Sequence, residues 1–438
     1  MSRLFCFGIV VGLLLLACED ESDLQRTPED AFIKFYGREG NQEGVDVVIG
    51  PDNAYYVLGN SNNRENRQIY VVKTDAAGNV LWERTFGGRN EEIAKDIELT
   101  PNGQLAIVAD TRSAAGDKDI MVLILNADGL RVDSTVYSYS ALDEEANSIT
   151  PINSGYLIAG STRLFDPDPI LSPTGINNIL DGIVVRLNAD LSPYTGVWGK
   201  TLTGIQSPGT AQFGLGTVLT IEKVTQENAG LFVVFSHTNS RDVNSTGLSN
   251  AYIFSIDGNG SPGGDRVFGT PEDDEIVTSV ARDKLTSGYT VTGISTKPSG
   301  RQEVFQFFVG VGGGAITGGN LVEITTNLSQ TQADIPISAA VTGFGSGFFL
   351  VGSTKNFSAD QTTLQGDIFL KLIDRQGGEL WRNPPELTFG GAANDFIGNV
   401  AETPEQRILL VGTMGIGDVQ GQRKIVLIKV NREGKFAP

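Results

Sequence analysis

The chain has little of what most enzymes use to build a reactive centre. Its 438 residues include two cysteines, three methionines, three tryptophans and one histidine. A single histidine makes no histidine-based zinc site, and a nucleophilic triad through His237 would need serine and acid partners that no spacing singles out. His237 therefore reads as an ordinary residue at a strand edge, in a slot where the sequence elsewhere places Ser or Thr. Both cysteines, Cys6 and Cys18, fall in the first eighteen residues. That leaves the rest of the chain without a disulfide, a thiol nucleophile or a cysteine-bound metal. Basic residues are also scarce: 33 Lys and Arg stand against 52 Asp and Glu, a formal net charge of −19. This excludes attachment to nucleic acid through phosphate neutralisation. It suits a surface that attracts cations or basic partners. No cofactor or metal motif fills these gaps. The segment "DGNGSPGGD" (257–265) lacks the glutamate that a calcium loop needs at its twelfth place, where Phe268 stands. "GVGGGAITGG" (310–319) precedes neither a helical pattern nor Lys-Ser/Thr, so it is no phosphate loop.

What the chain does have is glycine, 54 of them, and short runs of Val, Ile, Thr and Phe. That composition favours strands and turns over helices. At the start, "MSRLFCFGIVVGLLLLAC" carries one positive charge, Arg3, followed by an apolar run too short and too close to the N-terminus for an ordinary membrane anchor. It ends in Leu15-Leu16-Ala17-Cys18, which resembles the lipobox of bacterial lipoproteins. The resemblance implies a signal peptide over 1–17 and a lipid on Cys18; the competing reading is an ordinary signal peptide with a chance cysteine. The acidic run "EDESD" (19–23) resembles the export signal that sends Bacteroidota lipoproteins to the outer face of the outer membrane. A plain polar spacer under a lipoprotein facing the periplasm is the alternative. Residues 18–29 would then be a tether, reaching on the order of 35 Å when extended.

Beyond residue 30 the chain repeats itself. One apolar run recurs as "AYYVLGNS", "QLAIVADT", "GYLIAGST", "LFVVFSHT", "GYTVTGIST", "GFFLVGST" and "RILLVGT". A second recurs as "IYVVKTDAAGN", "IMVLILNADG", "GIVVRLNAD", "AYIFSIDGNG", "VFQFFVGVGGG", "IFLKLIDRQGG" and "IVLIKVNREGK". These are seven units of about 50 to 66 residues, each with four strand-length runs, here A to D, separated by turn residues. In the first unit A is about 44–50, B 54–60, C 68–75 and D 79–85. Four short antiparallel strands repeated seven times predict an all-β, seven-bladed β-propeller over 30–438. A stacked solenoid would instead show odd capping units at both ends. Here the last unit lacks D, and "AFIKFYG" (31–37) is a spare D. Pairing it with Val426–Val430 would close the ring and remove both sheet edges.

The units resemble bacterial propeller repeats of the "D-G-G-Y-x-V-x-G-x-T … W-x-K-x-F-G-G" type, common in secreted proteins and lipoproteins of Bacteroidota. Trp82 and Trp381 hold the Trp slot and Trp198 roughly does. The slot is similar to the blade-docking Trp of quinoprotein propellers, but nothing matches their quinone site, so these Trp residues read as packing between blades. The resemblance implies architecture and leaves activity open, because such units serve many roles.

Strand parity assigns the loops to two faces. A–B and C–D turns lie at one end; B–C loops and D–A links lie at the other. The longest B–C loops, 163–180, 239–249 and 355–366, collect on the second face, where binding usually resides. The D–A links there repeat an acid after the Gly-Gly slot: Glu92, Glu145, Asp274 and Asp395, with Glu43 displaced by one. They are candidate ligand-binding carboxylates; alternatively each accepts backbone N–H bonds and shapes its own link. The leading reading is a monomeric, non-catalytic, outer-membrane lipoprotein that binds a protein or glycan through the B–C face. The alternatives are a polysaccharide hydrolase or lyase using face carboxylates, and a structural subunit of an outer-membrane complex. One consequence concerns the fold alone. Deleting 31–37 should open the ring and unfold the domain in a thermal melt, whereas deleting 19–27 should leave the melt unchanged.

Overall fold

Every described apolar run of strand length forms a strand, and each of these pairs antiparallel with a neighbour close in sequence, with one exception at the ends of the chain. The structure is a computed structural model that describes residues 31–63, 66–138, 143–163, 180–195, 217–228, 230–239, 249–258, 261–270, 272–324, 335–344, 347–357, 364–381, 384, 386–391, 393–416 and 422–436. Cys18, Trp198 and most of the loops 163–180, 239–249 and 355–366 lie outside these residues. The strands form seven separate small sheets, the blades of a β-propeller. Blade 1 is typical: Asn41–Ile49, Tyr55–Asn63, Asn66–Thr74 and Val80–Phe86 as A to D. In blade 3 the described strands are A to C, and in blade 5 strand D is split into Ala315–Gly318 and Val322–Ile324, both on strand C.

The exception is blade 7. Its strands Phe396–Glu402, Ile408–Gly415 and Arg423–Val430 come from the end of the chain, and its strand D is Phe32–Tyr36. The register runs from Phe32 opposite Lys429 to Tyr36 opposite Ile425. The spare D therefore sits where the repeat pattern places it. Phe32 and Tyr36 point into the seam with blade 1, where Tyr36 donates from Oη to the Gly78 carbonyl (2.8 Å). Burying two such aromatics contributes about 2–3 kcal/mol each.

The core is distributed rather than central. Seven apolar clusters fill seven seams, one between each pair of neighbouring blades. Strands B and C sit in the middle of each blade and feed both adjoining seams. Tyr55 and Val57 face blade 7, while Tyr56 and Leu58 face blade 2. This is why their sequences are continuous apolar runs instead of alternating ones. Trp82 and Trp381 sit at equivalent places and reach the next blade, donating from Nε1 to the carbonyls of Ala127 (3.2 Å) and Arg432 (3.3 Å).

The Gly-Ser/Thr ending of strand B has a physical reason in the same seams. A Cβ on Gly59, Gly160, Gly293 or Gly412 would lie 2.0–2.5 Å from a strand A carbonyl. The next residue then accepts a backbone N–H from strand A of the following blade. Asn60 takes that of Ala94 (2.8 Å), Asp110 that of Ala146 (2.8 Å), Ser353 that of Ile397 (2.6 Å) and Thr413 that of Gly44 (3.0 Å). The last of these bonds crosses the seam between the chain's two ends. Thr413→Val keeps the shape and leaves the Gly44 N–H unpaired, so urea unfolding should show a loss of about 1–2 kcal/mol.

Candidate functional site

Seven A strands surround the axis, and each departs from regular pairing with a β-bulge. In six blades the bulge falls at the same place. The bulged residues there are Val45, Lys95, Asn147, Glu222, Thr278 and Gly398; in blade 6 it comes two residues earlier. A bulge breaks the two-residue alternation of a strand, so two successive side chains reach the same side. The lumen is consequently lined by pairs: Val45-Asp46, Lys95-Asp96, Asn147-Ser148, Glu222-Lys223, Thr278-Ser279 and Gly398-Asn399, with Ala340 and Val341 from blade 6. It encloses about 340 Å³.

One side of the lumen concentrates charge. Asp46 accepts hydrogen bonds from the backbone N–H of Val47 (2.7 Å) and Ile97 (3.2 Å) and from Asn399 Nδ2 (2.6 Å). Asp96 accepts from Ile149 N–H (2.8 Å). Burial pushes the Asp96 carboxyl up to about 8, with Asp46 adding to the effect, and burial raises Asp46 as well. The cation of this cluster is a side chain: Lys223 Nζ pairs with Glu98 Oε1 at 2.9 Å. The Glu98 charge, ahead of those of Asp96 and Asp46, holds the Lys223 ammonium protonated, while burial raises Glu98. Protein surrounds both groups, yet the Glu98 and Lys223 side chains stay 33% and 27% exposed, so solvent moderates the cost of their charge. Beside Asp96 on the same strand, Lys95 pairs with Asp110 of strand B of its own blade at 3.0 Å. Glu222 is pushed up to about 7 by burial, with His237 Nδ1 3.7 Å from its Oε1. Burial lowers His237 to about 4, which keeps it neutral.

Toward the A–B end the lumen continues into a groove of similar volume, about 340 Å³, between blades 3, 4 and 5. Lys223, Val280 and Arg282 line both spaces. Thr150 to Asn153, Thr225 and Gln226 form the rest of the groove wall with Tyr289. The Tyr289 hydroxyl donates to Glu227, and the Arg282 guanidinium lies 3.4 Å from the other carboxylate oxygen of Glu227. The groove thus offers hydroxyls, amides and one guanidinium beside an aromatic ring.

The four acids of the D–A links are not brought together; no hydrogen bond or ion pair joins any two of them. Glu92 and Asp395 are buried. Glu92 accepts the Gly88 N–H (3.1 Å), and Asp395 accepts those of Gly391 and Gly415 (both 3.0 Å). Burial raises both, Asp395 to about 6. In blades 3 and 5 the equivalent position falls on the neighbouring residue. Glu144 and Glu275 are buried there, facing Thr162 and Ser295 as Glu92 faces Thr111. Glu145 pairs instead with Lys118 (2.6 Å), and Asp274 accepts the Ser249 N–H (2.8 Å). In blade 1 the buried slot holds Gln42 rather than Glu43. This slot explains the Phe-Gly-Gly motif. A Cβ on Gly87 would lie 2.2 Å from Glu92 Oε2, and one on Gly269 2.8 Å from Glu275 Oε2, and both glycines hold positive φ. The repeated acid and the repeated glycine form one structural unit, a link closed over a buried carboxyl.

The lumen residues were not singled out in the sequence. A signal was present: the polar pairs "VD", "KD", "NS", "EK" and "GN" interrupt otherwise apolar A strands at one repeat position.

No protein-family model matches the chain, and no curated protein matches it in sequence. Among solved structures it is similar to a mutant α-L-arabinofuranosidase from Fusarium graminearum in complex with an iminosugar inhibitor, with TM-score 0.43, 8% identity and coverage of 93% of this chain and 94% of that one. A mutant levansucrase from B. megaterium gives 0.36 and 10%, covering 71% and 94%. A mutant NanB sialidase from Streptococcus pneumoniae gives 0.42 and 8%, covering 92% and 70%. Likenesses this distant carry no argument about activity, and the propeller is established by the strand order itself.

The buried carboxyls fix a pH dependence. Asp46, Asp96, Glu222, Glu275 and Asp395 all bind protons more tightly when folded than when unfolded. Their contribution is present below about pH 4 and is lost as pH rises through their folded values. His237 opposes them only below its ordinary range, where the unfolded state takes up its proton. The urea midpoint should therefore fall between about pH 5 and pH 8. Asp96→Asn keeps an acceptor for Ile149 and removes a carboxyl of raised proton affinity, and should flatten that fall.

Proposed function

We propose that the protein is a lipid-anchored binding propeller of the bacterial cell envelope, which recognises a glycan or protein and does not turn it over. Cys18 carries the lipid, and the acidic run after it directs the protein to the outer membrane. One observation carries the choice of binding over catalysis: the wet, polar lumen opens into the groove between blades 3 and 5, while its central acids are already committed. Asp46 and Asp96 each hold a backbone N–H group of the next blade. Glycosidase carboxyls stand about 5 Å or more apart, on either side of the bond to be cut. Carboxyls tied to the wall of the next blade in this way are not free to act as such a pair. The groove's hydroxyls, amides and guanidinium suit the hydroxyl groups of a glycan end. The B–C loops, on the opposite face, remain the expected seat of a protein partner.

A second reading rests on Glu222, which faces the lumen and whose carboxyl burial pushes up to about 7. That is the state of a general acid. A glycan panel separates the two readings. Binding without product, weakened about tenfold or more by Asn153→Ala with Gln226→Ala, supports recognition in the groove. Product formation that is lost in Glu222→Gln would replace it with hydrolysis. Binding that survives the groove variants but disappears when 163–180, 239–249 and 355–366 are trimmed would move the site to the B–C face.

A further inference from the structure

The exposed apolar side chains of this propeller are gathered on one side. Of twelve large apolar residues that are exposed among the described ones, nine lie on the outer strands or C–D turns of blades 6, 7, 1 and 2, which are consecutive in the ring. Each of the nine leaves 43–56% of its surface in solvent. Most lie at the C–D end of these strands. Ile33 begins strand D of blade 7, Val80 and Leu81 begin that of blade 1, and Leu130 and Val132 flank the start of that of blade 2. Leu380 follows the C–D turn of blade 6, and Phe436 follows that of blade 7, edge-on to Phe389 at 6.2 Å. The result is an apolar arc along the rim of the A–B and C–D face. Blades 3, 4 and 5 carry the groove on the other half of that face.

Exposed apolar side chains concentrated on one part of a rim point to an attachment site. The chain itself indicates the occupant. Residues 1–30 join the fold at Ala31, immediately before Phe32 and Ile33, in the middle of the arc. Cys18 lies fourteen residues before Phe32, a reach of about 45–50 Å at most. A lipid on Cys18 would keep the arc at high effective concentration beside the bilayer. Lys34, Arg84, Arg131, Arg432 and Lys435 are interleaved with the apolar groups, and such side chains extend their charge to headgroups while their stems lie on apolar surface. Asp75, Asp128 and Glu433 share the rim, so apolar contact rather than net charge carries the attachment.

We infer that this arc is the membrane-facing edge of the protein: the propeller rests tilted on the lipid surface through the rim of blades 6, 7, 1 and 2. The groove between blades 3 and 5 then stays open to solvent, and the B–C ends of the strands lie away from the bilayer. The inference rests on Cys18 being the lipid anchor, and its test keeps the two apart. The full-length lipidated protein is reconstituted in phosphatidylethanolamine–phosphatidylglycerol vesicles with brominated acyl chains. A fluorophore is attached at Leu81→Cys, at Val132→Cys, or at Ser261→Cys in the C–D turn of blade 4, which is exposed and lies at the same end of the ring. The arc positions should insert about 5–10 Å below the headgroups and be quenched at least about threefold more than position 261. Equal or absent quenching at all three sites in vesicle-bound protein overturns the tilt and leaves the anchor standing. Shielding of the arc from aqueous iodide without lipid quenching overturns it in favour of a protein occupant. Protein that fails to float with the vesicles overturns the anchor itself.

Discussion

Five residue pairs between Phe32–Tyr36 and Arg423–Val430 hold the propeller as a ring. Without them blade 7 would expose strand C as an edge, and the seam with blade 1 would lose Phe32 and Tyr36. The dependence extends further, because no seam is self-sufficient. Each apolar cluster is built half from one blade and half from the next, so every blade is buried only by having two neighbours. An open arc of seven blades would leave two half-clusters in water. Closure converts a row of marginal sheets into one cooperative unit. It also fixes the chain's N-terminal segment to the rim, at the start of blade 7's outer strand.

Closure has a second consequence at the axis. Seven A strands leave a lumen that their side chains do not fill, and the polar residues lining it must be paired with each other, with the backbone or with water. The bulge in each A strand meets that requirement by turning two side chains inward where a regular strand would turn one. Several of these side chains then bind the wall of the next blade. Ser148 donates to the Glu222 carbonyl (2.7 Å), Thr278 to that of Ala339 (2.7 Å), and Asp46 and Asp96 accept N–H groups from blades 2 and 3. The lumen is therefore both a polar space and part of what holds neighbouring blades in register.

The fold was largely legible because its signals are redundant. Seven copies of strands B and C, each buried on both sides, give apolar runs that no single substitution obscures, and the orphan D strand at 31–37 has one vacant place to occupy. The Trp slot was legible for the same reason. The site was less so, and the cause lies in the backbone. In blades 3 and 5 two acids stand side by side, Glu144-Glu145 and Asp274-Glu275, and repeat spacing alone does not say which enters the buried slot. The register decides it, placing Glu144 and Glu275 inward. The lumen pairs were hidden by the bulges. A period-of-two reading sends Asp46 and Val45 to opposite faces, whereas the extra residue brings both to the axis.

The same geometry weighs on what the protein does. A catalytic carboxyl must be free to exchange a proton with a substrate, yet the lumen's central acids act between blades, and a change in their protonation changes the ring itself. Asp46 gathers two backbone N–H groups and an amide in one place. Ionising it places its charge against the Asp96 carboxyl, whose proton affinity burial and Asp46 together raise. A group so placed is poorly suited to cycle through charge states during turnover, and well suited to hold a fixed, hydrated wall. Glu222 differs from it: its raised value comes from burial, with Lys95 opposing. Any chemistry in this lumen would have to pass through Glu222, because Asp46 and Asp96, the other described lumen acids, are committed as acceptors for the backbone of the next blade.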